Sequence, residues 1–166
     1  RRQRQDVYKR QERHRAMRAD KGFDTVECYR HVEHIVAKRQ DVLLLECMSN
    51  LLANEMYLEQ DSDDGGLAET MSEVEKTGVG MSETLSPVSK KIVQALVNLS
   101  TRVQDVVIVT NDVFSDGGSL TYDESTREYV KNLAEINCAL AREAATVTEV
   151  VCGIPVIVKK NHPMGK

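Results

Sequence analysis

A chain of 166 residues, 41% hydrophobic and 29% charged, is sized for one domain with its own core. A net charge of −4, two phenylalanines and no tryptophan argue against a nucleic-acid binder. There is no apolar run near the ~20 residues of a membrane span and no charged start leading into a hydrophobic stretch, which predicts a cytoplasmic protein.

Residues 1–11 stand apart from the rest of the chain. A codon string for DVYKRQ (6–11) matches the end sequence of a transposase adapter used in sequencing libraries, so residues 1–11 are expected to be translated adapter or, failing that, a disordered basic tail. A single domain is expected over 12–160, with a polar tail at 161–166. The first pattern inside it is CYRHVEHIVAKR (28–39), which predicts a helix with Val32, Ile35 and Val36 on one face. DVLLLEC (41–47) is a continuous apolar run ending in a polar residue and predicts a buried strand. MSNLLANEMYLE (48–59) comes next as a helix with Leu51, Leu52, Glu55 and Met56 at helical spacing.

Residues 59–85 hold eight acids against one lysine and few large apolar groups, which predicts a solvated acidic insertion. A helix over 86–102 opens with Ser86 as N-cap and Pro87 at the first helical position, and turns Ile92, Ala95, Leu96 and Leu99 to the core. DVVIVTN (105–111) is the second buried strand. The helix over 123–146 buries Val130, Leu133, Ile136, Leu140 and Ala144. TEVVCGIPVIVKK (148–160) is a third strand, interrupted by Gly153 and Pro155. Continuous apolar strands separated by helices predict an α/β fold with a parallel sheet covered on both faces. The four cysteines form no CxxC pair and are expected to be reduced, mostly buried thiols.

In an open parallel sheet, ligands collect at the carboxyl ends of the strands. Those ends present Glu46 and the pair Thr110–Asn111. A carboxylate after an apolar strand can orient a nucleotide's magnesium, or can simply cap the next helix. ERHRAMRADKGFDTVE (12–27) sets His14 among Arg13, Arg15 and Arg18. Arginine forks suit polyphosphate, and a neutral imidazole beside a triphosphate can attack the α-phosphorus. The same stretch also fits a basic, solvent-facing helix. His31 and His34 lie three apart and can share a metal only if a third ligand joins them, and none is apparent.

Five segments in order resemble the bifunctional adenosylcobinamide kinase and adenosylcobinamide-phosphate guanylyltransferase family. They are RHRAMR (13–18), GFDTVE (22–27), VLLLEC (42–47), VVIVTNDV (106–113) and REYVKNLAEINCALAREAATVTEVVCGIPVIVKK (127–160). The resemblance implies a P-loop NTPase (RecA-like) fold, a mostly parallel sheet with flanking helices. It implies an enzyme of cobalamin (vitamin B12) biosynthesis that phosphorylates adenosylcobinamide with ATP or GTP. The enzyme then transfers GMP from GTP to adenosylcobinamide phosphate through a guanylyl-histidine. On this resemblance His14 is the nucleophile, Arg15, Ala16, Met17 and Arg18 flank the bound nucleotide, Glu27 and Glu46 contact it, and Mg2+ accompanies the triphosphate. A homo-oligomer is implied as well.

The family's opening strand, phosphate-binding loop and first helix have no counterpart, since GxxxxGK[ST] occurs nowhere in the sequence. This predicts an interrupted gene product that is inactive on its own, with apolar strand faces left uncovered. A catalytically dead cobinamide- or nucleotide-binding relative, or an unrelated α/β nucleotide-binding protein, remain as alternatives.

Overall fold

The computed structural model describes residues 22–58, 85–113 and 122–161. Its two longest helices pack on each other and on a short third helix, beside a parallel strand pair, and a separate hairpin follows the last helix.

The segment preceding the first strand is not the helix that its apolar spacing predicts. Only Val32–His34 turns, as a 3-10 turn closed by His34 N–H to His31 O at 3.0 Å and Ile35 N–H to Val32 O at 3.2 Å. Its backbone groups find partners elsewhere in the fold. His31 N–H donates to Glu55 Oε1, and Arg102 donates to the carbonyls of Glu33 and Ile35, which a helix would use internally. Val32 still reaches the core, because a spacing of three serves a 3-10 turn as well as an α-helix, while Val36 is 97% exposed.

Strand β1 (Val42–Glu46) pairs in parallel with β2 (Asp105–Val109), in the register Val42↔Asp105 through Glu46↔Val109. Helix α1 (Met48–Tyr57) leaves the end of β1 and buries Met48, Leu51 and Leu52. Helix α2 (Pro87–Arg102) starts as its sequence predicts: Ser86 Oγ accepts from Ser89 N–H at 3.2 Å, and Pro87 occupies a position whose amide would have no helical partner. Helix α3 (Glu124–Glu143) is capped by Asp123, which accepts from Thr126 N–H at 2.7 Å. It ends three residues before the predicted boundary, because Ala144 is already extended. The core gathers where the helices meet, around Leu52, Ile92, Leu96, Leu133 and Ile136.

Only one face of the strand pair is covered among the described residues. Leu43, Leu45, Val106 and Ile108 are partly covered, while Val42, Leu44, Val107 and Val109 are 42–55% exposed. Sequence pattern alone could not separate this from cover on both faces, since both strands are continuously apolar.

The C-terminal run is also different from the single interrupted strand. Thr146–Val151 (β3) and Ile154–Lys160 (β4) form an antiparallel hairpin that does not join the parallel pair. Cys152 and Gly153, at φ 50 and φ 81, make the two-residue turn in which both positions need positive φ. Gly153 is therefore a turn, not a break. Lys159 Nζ donates to the Ala141 and Arg142 carbonyls, which otherwise end α3 without partners.

All four cysteines are free, but the burial expected of them holds only partly. Cys28 and Cys47 are half-buried, whereas Cys138 and Cys152 are exposed.

Candidate functional site

The parallel pair sends its two chain continuations out at one end. Beyond the paired residues Glu46 and Val109, β1 turns into α1 and β2 runs into Thr110, Asn111, Asp112 and Val113. Polar side chains bind these diverging chains to each other and to α3. Asn111 Nδ2 donates to Ser49 Oγ at 3.1 Å, and Ser49 Oγ lies 2.9 Å from Cys47 Sγ. Tyr129 Oη, reaching from α3, donates to the Ser49 carbonyl at 3.1 Å, and Thr110 Oγ1 donates to Asn137 Oδ1 at 2.8 Å. Burial pushes the Tyr129 phenol up from its ordinary value.

Glu46 is the last residue of β1 and is exposed. It is not the helix cap that the sequence left open, because the N-cap of α1 is Cys47, whose side chain makes no capping bond. A groove of about 550 Å³ runs along β1, lined by Phe23–Val26 and Cys28, by all of β1 including Glu46, and by Leu96 and Leu99 of α2. Glu27 sits between two groove-lining residues, Val26 and Cys28, and accepts from Tyr29 Oη at 3.1 Å. Burial raises the Cys28 thiol above its ordinary value, and the thiol donates to the Arg30 carbonyl at 3.1 Å. The groove thus carries an apolar floor, a carboxylate at the strand end and the GFDTVE segment along its side.

Of the residues singled out in the sequence, Glu46 lines this groove, whereas Glu27 is an exposed residue flanked by two that line it. His14, Arg15, Ala16, Met17 and Arg18 lie outside the described residues, as do most of the acidic 59–85 stretch and His162. His31 and His34 do not form a helical metal pair. Their rings stack with centroids 5.7 Å apart, and His31 Nδ1 faces Glu33 Oε1 at 3.2 Å. Among the described residues no group of three His, Cys, Asp or Glu side chains is placed to hold a metal.

The match of this chain to a protein-family model spans residues 2–158 and so takes in the groove, the strand ends and most of the hairpin. The chain belongs to the cobinamide kinase / cobinamide phosphate guanyltransferase family.

A comparison with curated protein sequences returned no match. Membership in the cobinamide kinase / cobinamide phosphate guanyltransferase family makes the chain a relative of transferases of cobalamin biosynthesis that act as kinase and nucleotidyltransferase. Their substrates are nucleotides, typically with Mg2+, and cobinamide. Among the described residues no helix is long and apolar enough to cross a membrane. The sequence could not reveal that Ser49, Tyr129 and Asn137 brace the strand ends, because a lone polar residue in a helix carries no such signal. Glu55 was visible as a carboxylate on the apolar stripe of α1, and its role becomes clear only with its partners.

Proposed function

We propose that this chain carries the guanylyltransferase site of its family, with GTP bound along the β1 groove. The observation that supports this most directly is that Glu46 and the residues on either side of Glu27 line one groove, which runs along β1 and reaches the carboxyl end of the parallel strand pair at Glu46. That is where α/β sheets of this type place their ligands. We take the sheet to be part of a P-loop NTPase (RecA-like) architecture.

In this proposal His14 is the nucleophile. Its neutral imidazole attacks the α-phosphorus of GTP, the N–P bond forms, the Pα–O bond breaks and pyrophosphate leaves. A phosphate oxygen of adenosylcobinamide phosphate then attacks the guanylyl phosphorus and releases the imidazole. Arg15 and Arg18, with Ala16 and Met17 between them, run beside the nucleotide, where the guanidinium forks balance its charge. Glu27 and Glu46 are nucleotide contacts. Magnesium enters with the triphosphate substrate, as suits an ion usually held by one or two carboxylates and the phosphates themselves; Glu46 is the described carboxylate suited to face it. Kinase activity on adenosylcobinamide, fed by ATP or GTP, needs a loop to hold the β- and γ-phosphates. The 166 residues contain no GxxxxGK[ST], so alone they are inactive in this step. A cytoplasmic homo-oligomer fits the family assignment.

The test is covalent labelling. The full-length gene product, incubated with Mg2+ and GTP labelled at the α-phosphate, should take up acid-labile, base-stable label at His14. Label that persists undiminished in His14→Ala would refute the nucleophile.

A further inference from the structure

We infer that Asn111 and Ser49 are positioning residues that set the direction of Glu46 at the strand end. This deepens the proposed nucleotide site and rests on it. The ladder between β1 and β2 ends at Glu46↔Val109, and directly beyond it the Cys47 carbonyl accepts Leu51 N–H at 3.3 Å as α1 begins. The next cross-tie is the bond from Asn111 Nδ2 to Ser49 Oγ at 3.1 Å. Ser49 is buried, and its hydroxyl also meets the thiol of Cys47, the residue directly after Glu46, at 2.9 Å. Its carbonyl is held from α3 by Tyr129. The first turn of α1, which follows Glu46 directly, is thereby clamped at Ser49, through its hydroxyl to the end of β2 and through its carbonyl to α3. Thr110 points the opposite way along the same extended segment, to Asn137. Asn111 is therefore left to tie β2 to α1, and its exposed position allows substitution without opening the core.

The experiment is a double-substitution cycle on the full-length gene product, reading Mg·GTP affinity by calorimetry and the unfolding midpoint by calorimetric melting. Asn111→Ala and Ser49→Ala are each made with Glu46 present and in a Glu46→Ala background. A positioning role gives about a tenfold weaker Kd for Asn111→Ala when Glu46 is present and less than about a twofold change when it is absent, with the midpoint held. Ser49→Ala should show the same pattern. If Glu46→Ala weakens binding but Asn111→Ala leaves Kd unchanged, the inference is overturned and the nucleotide site stands. Independent losses that multiply in the double variant overturn it likewise. If Glu46→Ala leaves Kd unchanged, Glu46 is not a nucleotide contact, and the inference falls with that part of the proposed site.

Discussion

The carboxylate of Glu55 receives Lys91 Nζ at 2.7 Å while its own side chain is only 4% exposed. The same carboxylate accepts the His31 backbone N–H at 2.8 Å and lies 3.8 Å from Arg30 Nε, so one acid on α1 ties α2 and the 3-10 turn together. Burial alone would raise its pKa, but the bonds from His31 and Lys91 outweigh that and hold it below its ordinary value.

Glu55→Ala should therefore cost about 3 kcal/mol, the lower end for breaking a buried pair, because Lys91 is 39% exposed. The pH dependence comes from the sign of the shift. A folded-state pKa below the ordinary 4.5 contributes stability that is complete above that value and is lost as pH falls through the lower folded value. Denaturant melts from pH 6 downward should show a steeper acid loss for the native chain than for Glu55→Gln. Equal slopes would mean that Glu55 does not shape the acid response.

Ser86 closes the start of α2 with its hydroxyl, so Ser86→Ala should destabilise by about 1 kcal/mol and Ser86→Asp should retain most of the cap. Equilibrium urea unfolding separates the two variants, and equal losses for both would contradict a capping role.

The hairpin turn depends on backbone freedom at Gly153, where φ is 81 and nothing lies within 4 Å of an added Cβ. Gly153→Ala should cost roughly 1–2 kcal/mol through conformation alone, and Gly153→Asn less, since asparagine tolerates the left-handed region. Hydrogen exchange of the 146–160 amides reads this locally: faster exchange is expected in the alanine variant.

The outward face of the parallel pair should accept charge. Leu44→Lys and Val107→Lys, at positions 47% and 50% exposed, are expected to leave the melting midpoint unchanged and to reduce self-association in static light scattering. Ile108→Lys, on the covered face, should instead unfold the chain.

How much of this was legible beforehand depends on which force decides each element. The cap at Ser86 and the stripe of Ile92, Leu96 and Leu99 are local signals, and α2 forms where the sequence places it. The 28–39 segment goes the other way because distant partners, Glu55 and Arg102, take its backbone groups. The hairpin was legible in principle from Cys152–Gly153 between two β-rich runs, but Pro155 beside the glycine made a broken strand equally economical. At the site, Glu46 could be read as a strand-end carboxylate from its own segment. The clamp through Ser49, Asn111 and Tyr129 joins residues up to 80 apart in sequence and has no local pattern.

Occupation of the β1 groove by GTP can be read directly by hydrogen exchange of the full-length gene product with and without Mg·GTP. Slower exchange is expected in peptides covering 22–30 and 42–49, with that protection diminished by Glu46→Ala. GTP binding that leaves both peptides unchanged would contradict a nucleotide site in this groove.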